Sequence, residues 1–83
     1  MTNLYYCRIN KGYTQEKLAK LAGVSLSAIR NFEQRQRLIE NATLPVLISI
    51  AEVLSVPIYK LIDDTYIANR LYKVERSNGG LFI

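Results

Sequence analysis

Apolar positions recur at helical spacing along most of the chain, in short runs separated by glycine or by polar turns. Leu4 and Cys7 are spaced as on one face of a helix, and they follow the capping candidates Thr2 and Asn3. Gly12 comes soon afterwards and supplies a stop. This pattern predicts a short first helix.

A second amphipathic pattern begins directly after that stop. Thr14 can cap a helix whose apolar stripe consists of Leu18, Leu21 and Ala22. Gly23 follows, and glycine takes the left-handed conformation that ends many helices at no steric cost. The stripe therefore predicts a second helix that ends at Gly23.

The chain restarts a helix within three residues. Ser25 can cap the new helix, in which Ile29 and Phe32 face inward. Its outward side chains are polar and include no acid: Ser27, Arg30 and Asn31. Two helices joined by a glycine-containing turn, the second with a polar outer face, form a helix-turn-helix motif, whose second helix enters the DNA major groove.

The second half of the chain carries the most apolar helical pattern. Thr43 can cap this fourth helix, and Pro45 falls in its first turn, where a missing N–H does no harm. Its apolar face consists of Leu44, Leu47, Ile48, Ala51 and Leu54. After "SVP", residues 58–62 predict a short fifth helix that is closed by Asp63 and Asp64.

The end of the chain fits two interpretations. Ile67, Leu71 and Val74 have helical spacing, whereas the segment from Tyr72 through "NGG" to "LFI" would suit a strand and a hairpin turn. We favour a helix from about Thr65. The apolar "LFI" end is expected to be buried against the core or against a second subunit.

Length and composition limit the fold. The 83 residues, about half of them apolar, suit one small core. With the helical patterns, they predict an all-α fold: a five-helix DNA-binding domain over residues 1–64, and a C-terminal extension over residues 65–83 that is helical or serves dimerisation. No apolar run reaches the ~20 residues that cross a bilayer. The first residues lack a secretory pattern, so we expect a cytoplasmic protein without a membrane partner.

Charge is placed unevenly within a net charge of +4. Residues 8–37 hold seven basic and two acidic residues, whereas residues 38–69 hold one basic and four acidic residues. This asymmetry favours a face that meets a polyanion. A solvated basic surface explains the charge pattern equally well when it is taken alone.

The stretches "KGYTQEKLAKLAGVSLSAIRNFEQ" and "ISIAEVLSVPIYKLI" resemble the Cro/phage-repressor type, or XRE-type, helix-turn-helix family. The resemblance runs from about Leu4 to Asp63. The matching features are the run Gly12 to Gln15, Leu18, Ala19, the turn Gly23 to Ser25, Ile29, Phe32 and Glu33. It implies a compact five-helix repressor-like domain, an operator of double-stranded DNA as partner, a homodimer and a role in transcription.

The resemblance also implies roles for single residues. Gln15 and Ser25 stand where the family contacts phosphates. Four residues stand at or near the face that enters the major groove: Leu26, Ser27, Arg30 and Asn31. Arg8 and Glu33 stand where the family pairs the first helix with the third, which implies a structural ion pair.

The connection after the third helix departs from the family pattern. Glu33 is followed by "QRQR" where the family has a glycine-containing turn, and the loop 34–42 is longer. Arg35 and Arg37 are expected to contact the DNA backbone there, the alternative being a solvated loop. Leu26 replaces a polar base-reading residue, and leucine can contact a thymine methyl group without hydrogen-bonding a base edge.

Two functions of different classes follow. The first is sequence-specific DNA binding by a transcriptional regulator, in the sense of a repressor, of bacterial, phage or mobile-element origin. The alternative is an antitoxin-like or other protein-interaction module with secondary DNA binding, which Leu26 and the "LFI" end favour. Catalysis, a cofactor and a metal site are not expected, because the chain has no His and its lone Cys7 fits a small core position.

Overall fold

The structure, a computed structural model, describes residues 1–77 of the chain. Within this range the chain forms five α-helices and two 3-10 turns, and it contains no strand, so the predicted all-α fold is confirmed. The helices are α1 (Asn3–Asn10), α2 (Gln15–Ala22), α3 (Leu26–Glu33), α4 (Leu44–Leu54) and α5 (Thr65–Ser77). The first 3-10 turn is Ile39–Asn41 and the second is Ile58–Leu61.

The first three helices begin at the caps that the sequence predicts. The hydroxyl oxygens of Thr2, Thr14 and Ser25 each accept a hydrogen bond from the amide three residues later, at 3.1, 3.0 and 3.0 Å. Thr43 precedes α4 as expected, but its side chain makes no capping hydrogen bond. Pro45 lies in the first turn of α4, where it removes an N–H that has no partner in the helix.

The first four helices all end in the same backbone motif. A left-handed residue follows each helix by one or two positions, with φ of 74° at Gly12, 69° at Gly23, 60° at Arg35 and 56° at Ser55. The next amide then donates to the carbonyl five residues earlier, at 2.9 to 3.2 Å. This is the Schellman arrangement, which usually places glycine at the left-handed position. Only two of the four positions are glycine.

The core joins the helix-turn-helix to the second half of the chain. α2 packs against α3 and α4, and the second 3-10 turn packs against α1, α4 and α5. The largest fully buried apolar side chains are Leu4, Leu18, Ile29, Ile50, Ile58 and Leu61. Both halves therefore contribute to one continuous core.

Two leucines of the predicted apolar faces are exposed. Leu21 is 50% and Leu44 is 58% exposed. In α2 the buried face is centred on Leu18, Ala19 and Ala22, which leaves Leu21 on the flank of the helix. Leu44 is the first residue of α4 and lies at the solvent-facing start of that helix.

The fifth α-helix differs in position from the predicted one. Residues 58–61 form a single 3-10 turn between the extended residues Pro57 and Ile62, whereas α5 begins at Thr65, where we favoured a helix. Asp64 caps α5, because its Oδ1 accepts the amide of Ile67 at 3.0 Å. The strand interpretation is wrong for the segment up to residue 77, and the "LFI" end lies outside the described residues.

α5 is attached to the second 3-10 turn by a buried acid that the sequence pattern did not single out. Glu75 is 3% exposed. Its carboxylate accepts the amide N–H of Ile58 at 2.9 Å and that of Tyr59 at 2.8 Å. The ring of Tyr72 also meets that of Tyr59 edge-on, with centroids 4.9 Å apart.

Candidate nucleic-acid interface

The turn between α2 and α3 is closed by local geometry. Gly23 is left-handed and ends α2, and Ser25 caps α3 two residues later. Leu18 on α2 and Ile29 on α3 are completely buried in the core. Because both helices are fixed by these contacts, the outer face of α3 has a defined position relative to α2.

The outer face of α3 carries polar groups without internal partners. Ser27 and Arg30 are exposed, and Asn31 is half-buried. Among residues 1–77, no hydrogen bond engages these three side chains. Leu26 differs from them, because it is half-buried and packs against the core. The face therefore presents a hydroxyl, a guanidinium and an amide, which are groups that bind base edges.

A bidentate ion pair joins α1 to the end of α3. Arg8 Nε lies 2.6 Å from Glu33 Oε2, and Arg8 Nη2 donates to Glu33 Oε1 at 2.9 Å. Arg8 Nη1 also donates to the carbonyl of Tyr13 at 2.8 Å. The hydrogen bonds to Glu33 raise the pKa of Arg8 above its ordinary value, although burial opposes this shift. The ion pair that the resemblance implies between Arg8 and Glu33 is thus present.

Gln15, at the start of α2, joins the same group. Its Nε2 donates to Glu33 Oε1 at 3.1 Å. A side-chain amide nitrogen carries two hydrogens, so one N–H of Gln15 is left for an outside acceptor. Arg8 balances the charge of Glu33, and a phosphate close to Gln15 therefore does not meet an unpaired carboxylate.

Ser25 has a similar spare donor. Its Oγ accepts the amide of Ala28 at 3.0 Å, which uses a lone pair and leaves the hydroxyl hydrogen available. The side chain is exposed at the start of α3. Capping and phosphate binding are therefore compatible at this residue.

The two arginines after α3 are both exposed and are held differently. Arg35 takes the left-handed position of the turn, two residues after Glu33, where the family carries glycine. The guanidinium of Arg37 lies over the ring of Phe32, 5.3 Å from its centroid. The sequence lacks the family glycine at this position, and the place of that glycine is the signal from which the conformation of Arg35 could have been predicted.

Further cations lie on or next to the same elements. Lys17 and Lys20 of α2 and Lys11 after α1 are exposed. The ammonium of Lys17 lies 5.1 Å from the ring centroid of Tyr13. These lysines contribute to the charge asymmetry of the sequence, but no motif assigned them to the site. They add positive charge to the half of the molecule that contains α2 and α3.

A metal centre is not formed by the part of the chain that the structure describes. Within residues 1–77, no three His, Cys, Asp or Glu side chains are grouped as metal ligands would be. In the same range, no helix is both long and apolar enough to span a bilayer.

Comparison with known proteins agrees with this geometry. The model of the family described as Helix-turn-helix matches residues 4–61, which is most of the chain. The chain therefore belongs to the XRE-type helix-turn-helix family, a family of DNA-binding regulators of transcription. No curated protein and no solved structure matches the chain.

Proposed function

We propose that this protein binds one operator sequence in double-stranded DNA as a homodimer and represses transcription. A single observation carries the proposal: α3 presents Ser27, Arg30 and Asn31 on a face held in place by the core, within a motif of a DNA-binding family. We further propose that it is a bacterial, phage or mobile-element regulator that acts in the cytoplasm, where its DNA target would lie.

The proposal divides the contacts between phosphates and bases. Gln15 and Ser25 each have a spare donor at the start of a helix, which suits a phosphate oxygen. Arg35 and Arg37 follow α3 and add charge beside the backbone of the duplex. These four residues supply affinity for any sequence.

Base recognition is assigned to the outer face of α3. Asn31 suits the paired donor and acceptor of adenine, and Arg30 suits guanine or a phosphate. Ser27 can bond to several bases. Leu26 is half-buried against the core, so only its remaining surface is available for a thymine methyl group.

Selection of bound duplexes from a random pool tests sequence specificity. We expect an inverted repeat to be enriched, with half-sites about 34 Å apart, since a two-fold dimer places two recognition helices on successive turns of the duplex. A selected pool that stays random contradicts sequence-specific binding.

The assignment of some residues to phosphates and others to bases has its own test. Asn31→Ala should relax the choice of base at one position per half-site and cost about 1 to 3 kcal/mol of binding free energy. Arg37→Ala should weaken all sequences alike and reduce the salt dependence. Lys60→Ala is the matched control, because Lys60 is an exposed cation on the second 3-10 turn. If Asn31→Ala and Arg37→Ala weaken all sequences equally, the assignment of Asn31 to a base is wrong.

The rival function is an antitoxin-like or other protein-interaction module with secondary DNA binding. The exposed apolar side chains of α5, Tyr66 and Val74 among them, favour a protein contact. Titration of random duplex DNA at rising salt separates the two functions. A groove binder loses affinity steeply, because counterions compete for the phosphates, whereas a pure interaction module has no such binding to lose.

A further inference from the structure

The carboxylate of Glu33 on α3 is a fixed acceptor for side chains of α1 and α2. Its Oε2 accepts Nε of Arg8 at 2.6 Å, and its Oε1 accepts Nη2 of Arg8 at 2.9 Å and Nε2 of Gln15 at 3.1 Å. The Glu33 side chain is only 6% exposed, and the fork of the guanidinium matches both carboxylate oxygens at once. The fold therefore sets the position of this carboxylate before any DNA is bound.

This fixed acceptor decides which end of the Gln15 amide faces the protein. A side-chain amide has a nitrogen that donates two hydrogen bonds and an oxygen that only accepts, and a half-turn of the group exchanges the two. An ionised carboxylate only accepts, so the nitrogen of Gln15 faces Glu33, and the reversed amide would bring two oxygens together. The carboxylate thus selects the amide orientation that leaves one N–H for an outside group.

No other group in the described part of the chain holds the amide of Gln15. Within residues 1–77, Glu33 is the only hydrogen-bond partner of the Gln15 side chain. Gln15 is half-buried at the first position of α2, so the outer edge of its side chain reaches the surface. Without the carboxylate, the amide is free to turn and to present its oxygen outward. An amide oxygen repels a phosphate, whereas the N–H binds it.

We propose that Glu33 is a positioning residue for DNA binding, which holds the amide of Gln15 with one N–H toward a phosphate of the duplex. Glu33 itself does not touch the DNA, and Arg8 on α1 keeps its carboxylate in place. The inference rests on the phosphate contact of Gln15 in the proposed function. It gives the Arg8–Glu33 pair a role in binding in addition to its role in stability.

The sign of the effect of Glu33→Gln separates this role from general electrostatics. Removal of a carboxylate makes the chain more positive, which by itself strengthens binding to a polyanion. Arg8 only donates and takes the single amide oxygen at position 33, so the new amide nitrogen faces Gln15 and favours the reversed orientation of its amide. We therefore expect Glu33→Gln to weaken binding to random duplex DNA at low salt by about tenfold.

Glu16→Gln is the matched control for the change of charge. Glu16 is exposed and directly follows Gln15, and its side chain does not hold the Gln15 amide. This variant should bind random duplex DNA as tightly as the wild type or more tightly, because only the net charge changes. If Glu33→Gln also binds more tightly than the wild type, the inference is wrong.

A double-mutant cycle shows whether Glu33 acts through Gln15. Gln15→Ala should weaken binding to random duplex DNA by about fivefold, because one phosphate contact is lost. The double variant Gln15→Ala/Glu33→Gln should bind no more weakly than Gln15→Ala, since no amide is left to be misplaced. If the losses of the two single variants multiply, Glu33 affects binding through the fold and not through Gln15, which overturns the inference.

A second background keeps the test valid if circular dichroism shows that Glu33→Gln does not fold. Arg8→Met/Glu33→Leu removes the whole ion pair, so it strands no charge and leaves the net charge unchanged. In this background Gln15→Ala should change the dissociation constant by less than about twofold. Arg37→Ala, which removes a guanidinium that lies over Phe32, should weaken binding equally in both backgrounds. A loss from Gln15→Ala that is as large as in the wild type contradicts the positioning role.

The wild-type chain offers a direct readout by NMR. One of the two side-chain amide protons of Gln15 should exchange slowly with solvent in the free protein, because it is bonded to Glu33. The other amide proton should shift when random duplex DNA is added. If the DNA shifts neither proton, or only the one that is bonded to Glu33, the proposed orientation is wrong.

The failure of this inference can be told from the failure of the proposed function. Salt-dependent binding of the wild type that Gln15→Ala leaves unchanged overturns the positioning role and leaves the DNA-binding function in place. A wild-type chain without salt-dependent binding to random duplex DNA overturns the DNA-binding function and, with it, the role of Glu33.

Discussion

Two glutamates hold distant parts of this small domain together, and they do so with different partners. Glu33 at the end of α3 accepts hydrogen bonds from the side chains of Arg8 and Gln15. Within residues 1–77, Glu75 near the end of α5 accepts only backbone amides, those of Ile58 and Tyr59. The first carboxylate lies in an ion pair. The second meets the positive end of a 3-10 turn.

The two carboxylates differ in the groups that lose a partner when each carboxylate is removed. Without Glu33, the buried guanidinium of Arg8 loses its ion-pair partner. Without Glu75, two amides lose their acceptor but no charge is stranded. A buried charge without its partner costs more than a buried neutral donor without its acceptor. The same substitution, glutamate to glutamine, should therefore lower the free energy of unfolding more at Glu33 than at Glu75.

The largest effect is expected from Glu33→Gln. This change keeps the shape of the side chain and leaves Arg8 without its ion-pair partner, so it should lower the free energy of unfolding by about 3 to 5 kcal/mol in urea titrations. The double variant Arg8→Met/Glu33→Leu is the control. Its loss in free energy of unfolding should be smaller than the summed losses of the single variants Arg8→Met and Glu33→Leu. If the losses of the single variants add up to the loss of the double variant, Arg8 and Glu33 are not coupled.

Glu75→Gln should have a smaller effect. Glutamine offers one acceptor oxygen for two amides, so one N–H loses its partner and the free energy of unfolding should fall by about 1 to 3 kcal/mol. Hydrogen exchange at the amides of Ile58 and Tyr59 should accelerate. Glu52→Gln, at an exposed position of α4, is the matched control and should change little. A loss as large as that of Glu33→Gln would remove the distinction between the two carboxylates.

Arg35→Gly should raise stability. The left-handed conformation is strained for arginine and free for glycine, so we expect a gain of about 1 kcal/mol in the free energy of unfolding. Ser55→Gly changes the matching position after α4 and should give a similar gain. DNA affinity should fall for Arg35→Gly alone, because only Arg35 belongs to the proposed interface. Equal affinity of the two variants would exclude Arg35 from that interface.

The smallest effect concerns Cys7, which lies on α1 within the electrostatic influence of Lys60 on the second 3-10 turn. Burial raises the pKa of the Cys7 thiol, and Lys60 opposes the shift. The folded chain therefore holds this proton more tightly than the unfolded chain. The stability that this difference contributes is lost as the pH rises from the thiol pKa of the unfolded chain through that of the folded chain. At pH 8, alkylation should be several-fold slower in the folded chain than in urea. Equal rates would show that the thiol is not protected.

The sequence predicted the helix-turn-helix half better than the remainder. The caps Thr2, Thr14 and Ser25 and the stops at Gly12 and Gly23 lie where the patterns placed them. The second half was less accessible, because one 3-10 turn replaced the expected short helix. An apolar pattern of three residues fits an α-helical turn and a 3-10 turn equally well. Only packing against α1, α4 and α5 decides between the two.

The candidate site shows the same division. The polar face of α3 was predicted from spacing alone, and the Arg8–Glu33 pair from the family resemblance. That Gln15 shares the carboxylate of Glu33 was not predicted, and neither was the packing of Leu26 against the core. Both depend on how α2 and α3 approach each other, which a residue pattern does not specify.

Patterns of about four residues were sufficient to predict the apolar stripes, the hydroxyl caps and the glycine stops. No residue pattern indicated that Ser55 adopts the glycine conformation, that Leu21 faces solvent or that Glu75 faces the core; these depend on packing between distant segments. The two groups of features differ in the sequence separation of the residues that stabilise them. A cap is complete within one helical turn, whereas a strained residue or a buried acid persists only because contacts from distant segments offset its cost.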